Sequence, residues 1–431
     1  MRRNTAAVVV AVVLPLVAAL APVNALAQSA RAVLAPLGVG ALADAVPDRP
    51  SRAAARQRRG PGELPTAIYG GAWPTSHVQG IAVDQRRESV YWSFTEALVR
   101  TDLAGRVLGT VTGITGHLGD LDLDRRDGRV YGSLEYRDAG AFYVAIFDGA
   151  RIDRVGIDAQ TGGVLTTVHL RDVAGDFAAG ADGDGGSTGV APRRHRYGAS
   201  GVDGISFGPP LGDPDGPDVL MVAYGVYPDT RRRDNDHQVL LAYDVRGWQR
   251  LARPLDQRHP HRSGPRAADD KVFVRTGNTA YGVQNLEYDR HTGRWLMAVY
   301  PGGKQGWPNY SLYAVDGAIP PWRGVVRGQP AGETGRLATL APDGLSDRRT
   351  GVRGWMSPGS RGLESLGDGS FYLVTGGWIV VDGQRRQDAT ATLHRWTGGT
   401  PMPFDRVSPA PAATARPSYP LRIRRGGPAR P

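Results

Sequence analysis

An all-β fold, a β-propeller, is predicted by three observations. A short alternating motif recurs five times, a hydrophobic strand follows each copy, and a third strand then ends in a polar or glycine step. The motif runs through Ser76–Asp84, Gly116–Asp124, Ser200–Ile205, Tyr281–Asp289 and Arg361–Leu366. Each copy sets an aliphatic residue, a two-residue polar or glycine step, and another aliphatic residue. The strands that follow are Val90–Phe94, Val130–Leu134, Val219–Ala223, Trp295–Val299 and Phe371–Val374. Third strands are expected at Val99–Asp102, Ala145–Gly149, Leu241–Asp244, Tyr313–Gly317 and Leu393–Gly398. Fourth strands fit Arg106–Val111, Val164–His169, Arg250–Leu255 and Arg336–Leu340. Short alternating strands parted by turn residues, four to a unit, describe a propeller blade.

Five blades are recognisable, and six are accommodated if Ile152–Leu170 forms part of a degenerate one. The first two copies are one ordinary blade apart; the later intervals are about twice as long and read best as blades with long loops. Thr66–Tyr69 is a strand just before the first copy, placed to complete the last blade and close the ring. No stretch beyond the N-terminus sustains a helical period. The 59 glycines and 32 prolines of the 431-residue chain suit tight turns.

Residues 1–27 read as a signal peptide: Arg2 and Arg3, the apolar run Ala6–Val23, and the small-x-small step Ala25–Ala27. Residues 28–62 are a disordered linker rich in alanine, arginine and proline, 63–407 the propeller domain, and 408–431 a disordered tail rich in proline and arginine. A secreted or periplasmic address follows, with no stable membrane span once the signal is cleaved. The absence of cysteine excludes disulfides, thiol catalysis and cysteine-ligated zinc. The net charge of +10 is carried by dispersed arginines, with no basic face of interleaved aromatics, so nucleic acid is not an expected partner.

The inner strand of each blade lines the propeller axis. The five copies therefore bring Gln79, Gly119, Asp203, Gln284 and Glu364 into one column and Gly80, Asp120, Gly204, Asn285 and Ser365 into the next. Asp120, Asp203, Asn285 and Glu364 are the expected ligands of Ca²⁺ or another divalent metal, which takes oxygen ligands of this kind. Gln79 and Gln284 line the channel, and His77 and His117 stand beside the first column as candidate bases. A polar channel serves equally as a structural network of water and backbone amides.

Other motifs carry less. Asp213–Asp218 lacks the spacing and final glutamate of an EF-hand and reads as an acidic turn. His259 and His261 lie on a proline-rich loop and are expected in solvent. Gly198–Gly201 lacks the spacing of a nucleophile elbow. Trp307, Tyr310, Trp322, Trp355 and Trp378 offer stacking surfaces for a sugar or apolar ligand, or pack between blades.

The polar-glycine-aliphatic step opening each inner strand resembles the broad group of propellers that includes the SMP-30/gluconolactonase and NHL-like proteins. Glu364-Ser365-Leu366 and Asp203-Gly204-Ile205 are similar to the inner strands of esterase-like propellers related to phytase. The resemblance to the SMP-30 group implies a divalent metal held by Glu364, Asn285 and either Asp203 or Asp120, and a lactonase activity. Two functions follow as expectations. One is an exported envelope protein that binds a small molecule, glycan or protein partner. The other is a metal-dependent hydrolase of small lactones, esters or phosphoesters, with His77 or His117 as base.

Overall fold

The computed structural model describes residues 64–179 and 195–408. The expected signal peptide, the linker and nearly all of the tail lie outside the described residues. The described chain forms a β-propeller of antiparallel meanders. The first runs Val78–Asp84, Ser89–Phe94, Ala97–Asp102 and Val107–Thr112. The second runs His117–Leu123, Val130–Tyr136, Ala141–Phe147 and Leu165–His169. A third comprises Ala199–Gly208, Val219–Val226, His237–Tyr243 and Asp270–Arg275. Tyr281–Asp289, Arg294–Val299 and Leu312–Asp316 make the fourth. Leu363–Ser365, Ser370–Thr375 and Gln384–Trp396 make the fifth.

The innermost strands stand side by side in chain order, and the last returns to contact the first. Hydrophobic cores fill the space between successive sheets. Tyr131, Phe142 and Val144 of the second sheet pack on Val202, Phe207, Val222 and Tyr224 of the third. Met221, Ala223 and Leu240 of the third meet Leu286, Trp295 and Met297 of the fourth. Burying both faces of every sheet is why the middle strands read as nearly continuous apolar runs.

The polar step in each repeat has a structural meaning. Strand pairing shifts register between Val78 and Gly80, Leu118 and Leu121, Val202 and Ile205, and Val283 and Asn285. Each shift is a β-bulge that bends the inner strand and turns extra side chains toward the axis.

Four expectations change. Arg253–Pro254, within the expected strand Arg250–Leu255, pairs with the outer strand of the second meander instead of completing the third, which Asp270–Arg275 completes. Thr334–Leu337 forms a hairpin with Trp322–Val325 and lies parallel to Asp270–Arg275 on the rim of the third meander, while Thr339–Ala341 runs on to bond Ala314–Asp316 of the fourth, so the expected strand Arg336–Leu340 is shared between the two. The alternating Lys271–Val274 takes the third meander's edge in place of the more polar Arg250–Leu255. Ile152–Leu170 is divided between the first and second sheets and builds no sheet of its own. Among the described residues one α-helix, Arg171–Ala178, interrupts the β-structure, buries Val173 and Asp176, and is too short for its period to register. Among the described residues no helix is long and apolar enough to cross a membrane.

Ala67–Trp73 pairs antiparallel with Gln387–Thr392 and becomes the outer strand of the fifth meander. Trp73 is buried, its ring 6.5 Å from that of Phe94 in the first meander, so the closing strand is packed as well as hydrogen-bonded. Trp73→Ala should lower the unfolding free energy by about 3–5 kcal/mol, as core tryptophan truncations do. Urea unfolding checks this; a loss below about 1 kcal/mol would mean that the ring is held closed without it.

Candidate functional site

Apart from Tyr281–Gly282, which pairs with Gly225–Val226 of the third meander, the inner strands pair within their own meanders, which leaves their axis-facing amides without strand partners. Buried amides need acceptors. Polar side chains at the bulges supply them. The Asp122 carboxylate accepts hydrogen bonds from the amides of Leu123 and Phe207 and from the Ser206 hydroxyl at 2.5–3.0 Å. Ser206 Oγ accepts from the Tyr288 amide at 3.2 Å, and Glu287 Oε1 accepts from the Ser365 amide at 3.0 Å. Glu364 accepts from the Val83 amide. Each inner strand thus offers an acceptor to the next, from the second through the fifth and back to the first.

One level away along the axis, Asp120 Oδ2 accepts from the amides of Ile205 at 3.0 Å and Leu286 at 2.9 Å, and Oδ1 from Leu121 at 2.9 Å. Asn285 donates to the Gln79 carbonyl at 2.8 Å and accepts from the Leu363 amide at 3.1 Å. Asp120 and Asn285 therefore fill the axis with hydrogen-bonded side chains. Gly80 makes room for them, because a Cβ there would lie 2.6 Å from Asp120 Oδ1.

Asp120, Asp203, Asn285 and Glu364 consequently do not meet at one point. Asp120 and Asn285 brace the strands, and the other two belong to separate clusters on either side. Glu364 lies with Asp122 and Glu287, donor atoms of all three falling within 4.8 Å of one another. The hydrogen bonds explain why. Leu363 donates to Asn285 as Ile205 donates to Asp120, so Leu363, not Leu366, is the counterpart of Ile205. The fifth copy is three residues out of the alignment read from sequence, which moves Glu364 out of the Asp203 column.

Burial pushes the Asp122 carboxyl up to about 6 and Glu287 and Glu364 well above the ordinary range, with neighbouring carboxylates adding to the rise in both glutamates. Glu364 Oε2 is buried without a hydrogen-bond partner.

The second cluster joins His117, Glu135 and Asp203. His117 Nδ1 lies 3.5 Å from Glu135 Oε1 and 3.7 Å from Asp203 Oδ1, outside hydrogen-bond range, and is itself buried without a partner. His117 Nε2 is 2.7 Å from the Gln79 amide nitrogen. Gln284 donates to Asp203 Oδ2 at 3.1 Å. Arg137 pairs with Glu135 Oε1 at 2.5 Å, and the Val202 amide donates to Oε2 at 3.1 Å. That last bond needs Gly201, whose Cβ would sit 1.7 Å from the same oxygen and whose φ of 148° suits glycine. Burial raises the Glu135 pKa against the pull of Arg137 and His117. His77 shares this end, 3.2 Å from the Tyr300 hydroxyl, and burial, with His117 and Arg361 nearby, lowers its pKa to about 4.

Gln79, Gln284, His117 and Asp203 were anticipated and do come together. Glu135, Arg137, Asp122 and Glu287 were not. Asp122 and Glu287 stand at equivalent places two residues beyond the polar step, a signal present in the repeat. Glu135 comes from a second strand, outside the inner-strand column. Elsewhere, His261 is docked, Nε2 2.8 Å from Thr167 Oγ1 and Nδ1 accepting from the Ser263 amide, rather than solvated. Asp218 of the acidic turn pairs with Arg290 at 2.5 Å.

No protein-family model matches the chain, and no curated protein matches its sequence. Solved structures similar to it include the Dos1 propeller, at 11% identity over 70% of this chain and 53% of that one, with a TM-score of 0.31. The PQQ domain of pyranose dehydrogenase from Coprinopsis cinerea, holo form, is 10% identical over 72% of this chain and 81% of that one, TM-score 0.32. A luciferin-regenerating enzyme is 12% identical over 74% and 92%, TM-score 0.30.

The buried acidic trio makes a pH prediction. A carboxyl whose folded pKa exceeds its unfolded value binds protons on folding, so its contribution is present below about pH 4 and lost as pH rises through the folded value. Asp122→Asn sacrifices hydrogen bonds at every pH. Its stability deficit against the parent should nevertheless shrink between pH 4 and 7, by up to roughly 3 kcal/mol at about 1.4 kcal/mol per pKa unit. Urea unfolding in EDTA across that range decides; a constant or widening deficit would contradict the raised pKa.

Proposed function

We propose that this chain is an exported binding protein whose ligand site is the end of the propeller axis at His117, Glu135 and Asp203, where a divalent cation is held. The observation that carries this reading is the triangle of donor atoms around His117 Nδ1, at 3.5 and 3.7 Å from two carboxylate oxygens. These separations are too long for hydrogen bonds. They suit three ligands of one ion, since donors about 2.1 Å from a tetrahedral metal lie roughly 3.4 Å apart. A mixed imidazole–carboxylate set favours a transition metal over Ca²⁺. With Nδ1 on the ion, His117 Nε2 carries the ring proton and needs an acceptor, which the Gln79 side-chain amide 2.7 Å away supplies when turned with its oxygen toward the ring. Arg137 competes for one lone pair of Glu135 Oε1 and offsets part of the site's negative charge.

Binding is preferred to hydrolysis because His77 is a weak proton acceptor at neutral pH with its pKa near 4. Export is supported by Arg2, Arg3, the apolar run Ala6–Val23 and the Ala25–Ala27 step, together with the absence of cysteine.

The test is thermal melting and titration calorimetry of EDTA-treated protein with Mn²⁺, Zn²⁺ and Ca²⁺ in turn. Stoichiometric binding with a raised melting temperature is expected, worth about 2.7 kcal/mol when the ion stands at a hundred times its Kd. His117→Gln and Asp203→Asn should each abolish the shift while leaving the metal-free melting temperature within a few degrees. No shift with any of the three ions, or a shift that survives both variants, would remove the site.

A further inference from the structure

The hairpin Trp322–Val325 and Thr334–Leu337, added to the rim of the third meander, encloses a cavity that the axis does not reach. Its volume is about 280 Å³, at the small end for ligand sites. Two arginines, Arg275 and Arg327, line it with His237, Phe273, Trp322 and Val325, and no carboxylate is among its lining residues. Neither arginine is in an ion pair among the described residues. Arg275 stacks 4.9 Å over the Trp307 ring, and its Nε is buried without a hydrogen-bond partner. His237, 2% exposed, likewise has a buried Nδ1 with no partner. The carboxylate beside Arg275, Asp236, is engaged by Lys304. Burial and the neighbouring Arg327 push the Arg275 pKa down. The remaining wall is apolar, and Trp322 and Val325 are 54% and 52% exposed, unusual for large hydrophobic side chains.

Two guanidiniums without an ion pair, a buried imidazole and an apolar wall lining one small cavity specify an occupant. We propose that this cavity binds a compact aromatic carboxylate, its charge between Arg275 and Arg327 and its ring against Trp322 and Phe273. Guanidinium forks match a planar carboxylate, and an aromatic body covers the exposed indole while filling a space too small for an extended ligand. The bound anion would also neutralise the arginine pair. The site is independent of the cation proposed at His117, since it is built from outer strands.

Titration calorimetry of the whole chain with benzoate, its neutral isostere benzamide and inorganic phosphate tests this. Benzoate should bind at sub-millimolar concentration, and benzamide and phosphate at least about tenfold more weakly, since each lacks one half of the recognition. Arg327→Gln and Trp322→Ala are surface changes expected to leave the melting temperature unaltered. Each should weaken benzoate by about tenfold or more, whereas Asp203→Asn should leave it unchanged. Absence of benzoate binding at 10-fold excess over 1 mM, equal binding of benzamide, or benzoate binding unaffected by both surface variants would overturn the proposal.

Discussion

The axis of this propeller depends on polar side chains that accept hydrogen bonds from the backbone of the next inner strand. Packing between sheets fixes the meanders but gives their innermost amides nothing to bond. Asp122, Ser206, Glu287 and Glu364 meet that need at one level, Asp120 and Asn285 at another. An acceptor lost there would leave a buried amide unsatisfied, at a cost of about 1–3 kcal/mol. The same groups bring several carboxylates into a confined apolar setting, where ionisation is expensive. Bracing the ring and loading it with titratable groups are therefore one physical fact.

This bracing divides the axis chemically. Where carboxylates are saturated by amides, as at Asp120, nothing is left over for a ligand. Where a strand outside the ring contributes, geometry loosens. Glu135 arrives from the second strand of its meander, is drawn by Arg137 and the Val202 amide, and leaves the His117 imidazole facing two oxygens it does not bond. An imidazole among the carboxylates, not the mere presence of acids, distinguishes that end from the all-carboxylate trio of Asp122, Glu287 and Glu364.

Much of the architecture was legible in the repeat. Its polar steps mark the bulges, and its apolar runs mark strands buried on both faces. Membership of the outer strands was not legible, because segments such as Arg250–Leu255 and Arg336–Leu340 carry too few alternating residues to declare a partner, and neighbouring sheets compete for them. The site was half legible. Gln79, Asp203 and Gln284 follow from columns of the repeat, but the short fifth inner strand, Leu363–Ser365, has no bulge to anchor its alignment. Glu364 was accordingly assigned a neighbour it does not have. Glu135 and the Trp322 hairpin depend on tertiary placement that no local pattern encodes.

Ala67–Trp73 is the earliest described strand, yet its partners lie at Gln387–Thr392. On a ribosome adding about 5–20 residues per second, that pairing waits for tens of seconds after the strand has emerged. Throughout that interval a buried-to-be edge, with Ile68 and Trp73 on it, stands open to solvent and to other nascent chains. The seam that closes the ring is thus also a long-lived liability during synthesis, and a holding factor acting on this one segment would protect it.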